Sequence, residues 1–373
     1  MTATRTTPMP ALITIVALSA FDRLSIAPML QPIARNLGAP VALVTLAATA
    51  NFLAYGLAQL AHGWLSDRLG RQRALKLALL VMGVANGVAA AAPDIGVLVI
   101  ARAVVGAASG GLVPGALVVL ADQRAGKARA RGQAGLITAL GFGTALAAVT
   151  GLADHGALWR IVFAATGIVA LASIPLLWGD AINPASRSRP SLAAVLANTN
   201  VRFTSLLAVP EGAAVFGFVA FFPLALQHQG TSVPLAGAGT AAVGVGMMLG
   251  GYFVRRLTGS RPDGHLIGAG ASILALGYAT ALVPVAAALI LGASLTGLGQ
   301  SAVHAPLQRW ATEAAPEARG LSTAAFATGA FGGAGLATVL GSVLPDHYRT
   351  IFIAAAICAA GSGLIAARHH SPD

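Results

Sequence analysis

Charge is what this chain has least of. Only 9% of its 373 residues are Asp, Glu, Lys or Arg, against about 25% in a soluble domain, so lipid rather than water must surround most of it. Acidic residues are scarcer still, 12 against 23 Lys and Arg. The resulting net charge of +11 does not point to nucleic acid, because the cations stand in short clusters between apolar runs and aromatics make up only 6%. The single cysteine, Cys358, excludes an internal disulfide. No His-Glu-x-x-His and no Gly-x-x-x-x-Gly-Lys-Ser/Thr occurs, which argues against a zinc hydrolase and against a nucleotide-driven pump. No metal site and no cofactor is expected. The apolar run from Ala11 is followed by no convincing cleavage site and is read as a retained first span.

Apolar residues fill the space that charge leaves: 56% are hydrophobic and the mean hydropathy is +0.78. A spanning helix needs about 20 mainly apolar residues. Twelve candidates begin near Ala11, Val41, Ala74, Gly96, Gln133, Trp159, Arg202, Pro234, Leu266, Val285, Leu321 and Arg349. The longest polar interruption runs from Gly179 to Asn200, halfway along. The expected architecture is therefore all-α, with six-helix bundles at 1–179 and 201–373 and a linker at 180–200. With the N-terminus in the cytoplasm, the positive-inside rule is met by most cations: Arg68, Arg71, Arg73, Lys76, the cluster from Arg124 to Arg131, Arg255, Arg256 and others fall inside. Only Arg35, Arg160 and Arg349 fall outside, while Arg23 and Arg102 lie within the membrane. Both termini are expected in the cytoplasm of a multi-pass inner-membrane protein.

The chain also repeats itself. Gly63 to Arg73 returns as Gly251 to Arg261 at an offset of 188, Arg131-Gly132 as Arg319-Gly320 at 188, and Trp159 to Phe163 as Tyr348 to Phe352 at 189. One offset joining three motifs indicates two halves on one plan, as in many secondary transporters. The same offset joins two acids, Asp22 and Glu211.

Gly63-Trp64-Leu65-Ser66-Asp67-Arg68-Leu69-Gly70-Arg71-Gln72-Arg73 resembles the loop between the second and third helices of the major facilitator superfamily, Gly-x-Leu-x-Asp-Arg-x-Gly-Arg-x-Arg, at every specified position. Arg102, Gly106, Gly110 and Pro114 resemble that family's fourth-helix motif. Within the family the chain looks most like the compact drug- and metabolite-efflux group of proton antiporters. It departs from that group in its fifth span, where Gly141-Phe142-Gly143-Thr144 lacks the usual Gly-Pro pair. The resemblance implies that spans 1, 4, 7 and 10 line a central cavity. It also implies a gate in which Asp67 meets the N-terminus of the eleventh helix. Gly63, Gly70, Arg71 and Arg73 complete the gating motif, and Arg68 is expected to meet an acid such as Asp122. The bland alternative is that these charges only fix topology.

An ionisable group at mid-depth costs about 2.5–3.5 kcal/mol on insertion scales and usually faces a cavity or a partner. Asp22, Glu211 and, by resemblance, Arg102 are the proton-coupling candidates; the alternative for Asp22 is a structural ion pair with Arg23 or Arg102. Glu211 has no basic neighbour in its own helix past Arg202 and is expected to be the better proton carrier, with Asp22 pairing or touching substrate. The substrate-cavity candidates are Arg23, Asn51, Tyr55, Phe218, Phe222, Gln300 and His304. Phe218 is seven residues after Glu211, hence on nearly its face. Gln300 and His304 share a face at i, i+4. Histidines and aromatics at such positions are as readily packing residues. The expected function is a secondary transporter, a proton-coupled exporter of a small organic compound. Alternatives are an importer or uniporter of a sugar, organic acid or other metabolite, or, in a different class, a membrane-embedded enzyme or receptor. Substrate, protons and the bilayer are the expected partners, and a monomer suffices.

Overall fold

The computed structural model describes residues 7–124, 126–152, 155–178, 192–257, 263–344 and 346–369. Twelve long helical elements account for nearly all of them. They are α1 (Met9–Leu37), α2 (Val41–Leu69), α3 (Arg71–Ala91), α4 (Ile95–Ser109 continuing as Leu112–Gln123), α5 (Gly126–Leu146) and α6 (Leu158–Ser173). The second six are α7 (Thr199–His228), α8 (Val233–Leu257), α9 (Asp263–Thr280), α10 (Ala286–Glu313), α11 (Arg319–Val343) and α12 (Tyr348–His369). Most of the linker expected at 180–200 lies outside the described residues; its last part forms a short helix, Leu192–Ala197.

Among the described residues, eleven helices are long and apolar enough to cross a membrane, not twelve. The exception is α9. It opens on Asp263-Gly264-His265, which leaves too little apolar length in its 18 residues. It is nevertheless a full helix, packed between α10 and α12. The fold is that of an all-α membrane protein built from two related six-helix bundles.

Backbone-close contacts hold each bundle together. At Gly106 a Cβ would run into the carbonyl of Asn51, so α4 can approach α2 only because this residue has no side chain. The two halves meet along α2 against α11 and α5 against α8. Thr49 Oγ1 donates to Thr338 Oγ1 at 2.8 Å, and Thr328 Oγ1 to the carbonyl of Gly56 at 2.9 Å. The fifth span, without its Gly-Pro pair, still packs closely: Gly141 lies against Met248 and Gly151 against the carbonyl of Val233. At the end opposite the chain termini, Gln227 Nε2 donates to the carbonyl of Pro28 at 3.2 Å and ties α7 to α1.

The end that carries the α2–α3 junction has a matched pair of ion pairs. Gly70, at φ 84°, turns the chain sharply between α2 and α3 and presents Arg71 to Asp122 at the end of α4. In the second half the corresponding places, the start of α9 and the end of α10, hold Asp263 and Arg309 at 3.2 Å. Both pairs join the start of one helix to the end of the next with the signs exchanged, although the residues stand 192 and 187 positions apart rather than 188.

Candidate functional site

α1 carries two adjacent charges into the centre of the protein, and they part company there. Neighbouring residues on a helix do not face each other. Asp22 turns toward α4, where Arg102 Nη1 and Nη2 each reach a carboxylate oxygen at 3.0 Å, and Nη2 also donates to the Asp22 carbonyl at 3.0 Å. Asn86 Oδ1 lies 3.4 Å from Nη1, and the ring of Phe163 lies 5.1 Å from the guanidinium carbon. Asp22 is 1% exposed and Arg102 0%. Of the two arginines the sequence offered as partners for Asp22, Arg102 is the one that pairs with it. Bidentate, charge-assisted geometry of this kind is what makes a buried pair tolerable. Asn51 braces it from α2, donating through Nδ2 to the Arg102 carbonyl at 3.1 Å.

Arg23 points the other way, into a cage of rings. Its guanidinium carbon is 5.1 Å from the centroid of Tyr55 on α2, 5.3 Å from that of Phe331 on α11 and 5.6 Å from that of Phe216 on α7. The cage spans both halves. Phe216 and Phe331 stack at 4.8 Å, and Tyr55 leans on Phe331 at 4.2 Å. Arg23 is 7% exposed and has no ion pair with a carboxylate among the described residues.

Glu211 has a partner that its own helix does not supply. His304 Nδ1 on α10 lies 2.8 Å from Glu211 Oε1. The carboxylate is fully buried while the imidazole is 24% exposed. Phe216 meets the His304 ring edge-on at 5.0 Å. One turn before His304, the Oε1 of buried Gln300 lacks a donor, as does Oε2 of Glu211.

Phe218 and Phe222 are both buried, and Phe222 stands elsewhere, stacked on Phe352 at 4.9 Å and on Tyr278 at 5.8 Å inside the second bundle. The seven-residue spacing from Glu211 fails because α7 is not a regular helix past Gly212. Residues Ala213–Gly217 form a π-helical turn and Phe218–Phe221 a 3-10 turn, so the phase of the helix shifts. Phe216 takes the place beside His304 instead.

In the gating motif, Gly63, Arg68 and Arg73 are exposed, and Arg68 lies over the Trp64 ring at 4.3 Å. Asp122 is met by Arg71 rather than by Arg68, because Arg71 follows the turn at Gly70 and opens α3 beside the end of α4. The side chain of Asp67 lies outside what is described, as do residues 258–261 of the second motif copy.

Residues 12–288 match the family model described as Major Facilitator Superfamily. The chain belongs to the major facilitator superfamily. Over 266 residues it is 32% identical to the 3-(3-hydroxy-phenyl)propionate transporter of Escherichia coli (strain K12), an alignment covering 66% of this chain and 64% of that protein. The chain thus spans just under two thirds of the length of this relative. Among solved structures, a D-xylose-proton symporter aligns with a TM-score of 0.78 at 17% identity, covering 96% of both chains. A mutant of the nucleoside transporter NupG aligns at 0.75 and 9%, covering 98% of this chain and 100% of its own. A bacterial homolog of the lysosomal transporter Spinster, inward-facing and unoccupied, aligns at 0.67 and 17%, covering 96% and 93%. These likenesses show the major facilitator fold.

Proposed function

We propose that this protein is a small-molecule transporter that carries an aromatic carboxylic acid across the cytoplasmic membrane together with protons. The observation that supports it most is the setting of Arg23. Asp22 pairs with Arg102, while Arg23 has no carboxylate within ion-pair distance among the described residues and lies among three rings. A substrate carboxylate finds a partner in that guanidinium, and a ring on the same substrate finds aromatic faces beside it. The curated relative, a 3-(3-hydroxy-phenyl)propionate transporter, favours the same class of substrate. Gln300 Oε1, an acceptor without a donor, suits a substrate hydroxyl.

Moving a monoanion with one proton transfers no net charge, so an inward proton gradient drives uptake. The export direction expected from the antiporter-like resemblance finds no support in these relatives. The halves 1–179 and 201–373 alternate about the linker 180–200, with both termini cytoplasmic. Asp67 engages the N-terminus of α11 when the cytoplasmic side closes. Gly63, Gly70, Arg73 and the Arg71–Asp122 pair shape that end, and Asp22, Arg102 and Glu211 form the coupling network. A single chain contains all of these groups.

Proteoliposomes with an imposed pH gradient test this reading. 3-Phenylpropionate and 3-(3-hydroxyphenyl)propionate should accumulate, and external pH should rise with them. Arg23→Gln should lower uptake at least tenfold, and Arg23→Lys should recover only part of it. Accumulation of xylose or a nucleoside without any carboxylate would overturn the proposal.

A further inference from the structure

Two buried acids sit near the middle of the membrane, and their surroundings differ in a way that separates their tasks. Both oxygens of Asp22 are bound by Arg102, a group that stays charged at every relevant pH. A proton placed on Asp22 would strand the guanidinium in an apolar site, which is costly. Glu211 is held by one oxygen only. Its Oε2 is enclosed without a donor, and its partner is an imidazole rather than a guanidinium.

We infer that Glu211 and His304 together hold the transported proton, with His304 as the port and Glu211 as the fixed charge. Glu211 is 0% exposed, so it cannot exchange with water directly; the 24% exposed imidazole can. In the unloaded pair, the neutral ring donates from Nδ1 to the carboxylate and the pair carries one negative charge. A proton arriving from water binds Nε2, giving an imidazolium–carboxylate pair with no net charge; its departure from Nε2 restores the first state. No bond between heavy atoms changes. Among the described residues Arg23 is the charged group across the ring of Phe216 from the pair; α11 presents Phe326 to the His304 ring, and α12 bears its charges only at its ends.

Phe216 links this pair to the anion site. It stacks on Phe331, meets His304 by its edge and lies under Arg23. It also stands in the π-helical turn of α7, a local departure that is frequent at functional sites. A carboxylate neutralising Arg23 removes a positive charge that opposes protonation of His304. Substrate and proton therefore load together.

This inference rests on the proposed transport of an aromatic acid, and its test separates the two. His304→Asn keeps a donor near the place of Nδ1 but cannot titrate. In vesicles loaded with 3-phenylpropionate, wild type and this variant are compared by protons moved per labelled substrate transported, a ratio that weaker substrate binding alone would not change. Pumping by a pH gradient and substrate-linked proton flux should both be lost. Substrate-linked proton flux that persists in His304→Asn overturns the inference and leaves the transport reading intact. Absence of 3-phenylpropionate uptake by wild-type protein overturns the transport reading itself. If the variant does not reach the membrane, carbethoxylation of wild-type protein by diethyl pyrocarbonate, mapped by mass spectrometry, decides. The rate at His304 should fall at least twofold when 3-phenylpropionate is added at about pH 6.5, and an unchanged rate overturns the inference.

Discussion

Replacing Arg102 by Met should destabilise the protein by an amount the structure lets one estimate. The change deletes two charge-assisted bonds to the Asp22 carboxylate and one to its carbonyl, all at 3.0 Å, and leaves a carboxylate 1% exposed with no cation beside it. Breaking a buried pair by removing one partner costs about 3–5 kcal/mol. Unfolding entropy near 2.1 cal/mol/K per residue, taken over 373 residues, comes to about 0.8 kcal/mol/K. The melting temperature of detergent-solubilised Arg102→Met should therefore fall by about 4–6 °C. Adding Asp22→Leu removes the stranded charge and fills its space with apolar atoms. The double variant should then recover to within about 1 kcal/mol, or ~1 °C, of wild type. A scanning-fluorimetry cycle over the four proteins reads this directly. The reasoning is refuted if the single variant melts within about 1 °C of wild type, or if the double variant is no more stable than Arg102→Met.

Four further substitutions have expected outcomes. Gly106→Ala drives a methyl into the Asn51 carbonyl and should lower the melting temperature or the folded yield sharply. Gly332→Ala, which meets nothing within 4 Å, should be neutral or stabilising by about 0.4–1 kcal/mol in the same assay. Asp67→Asn should slow substrate exchange severalfold at unchanged expression, and an unaltered rate in well-expressed protein would remove Asp67 from the gate. Thr49→Val deletes one hydroxyl of the 2.8 Å contact between α2 and α11 and should cost about 0.5–1.5 kcal/mol, seen as a small drop in melting temperature.

Much of this architecture is legible in the residues because a bilayer forces the chain to announce its helices. The starts expected near Val41, Trp159, Pro234 and Arg349 fall within one residue of the helices that form. α9 is harder to weigh, since three residues that are not apolar at its start, Asp263, Gly264 and His265, decide whether it qualifies as a span. Within the site, the acids and cations could be named but their pairing could not. Asp22 and Arg102 lie 80 positions apart, and Glu211 and His304 93 apart. The one local clue was that residues 22 and 23, adjacent on a helix, must face different ways. The misplacement of Phe222 has a definite cause: a periodicity argument assumes about 3.6 residues per turn, and α7 abandons that value just after Glu211. Pro210, followed by Gly212 and Gly217, is a sequence hint of irregularity but does not say in which direction the phase moves.

The exchanged signs of the two junction-end ion pairs have a consequence for motion. α4 and α10 are symmetry mates, so their ends approach each other when that side of the protein shuts. A faithful duplication would bring aspartate toward aspartate there. In the alternating motion proposed above, Asp122 would instead approach Arg309, while Arg71 and Asp263 stand as their present partners within each half. In that proposed motion the mouth would be antisymmetric in charge, its two lips attracting where symmetric ones would repel. Such attraction between partly exposed charges reaches only about 8 Å at physiological salt and about 3 Å at 1 M. Ionic strength would then act as a lever on the balance of states: concentrated salt should let the mouth rest open without touching the buried pairs.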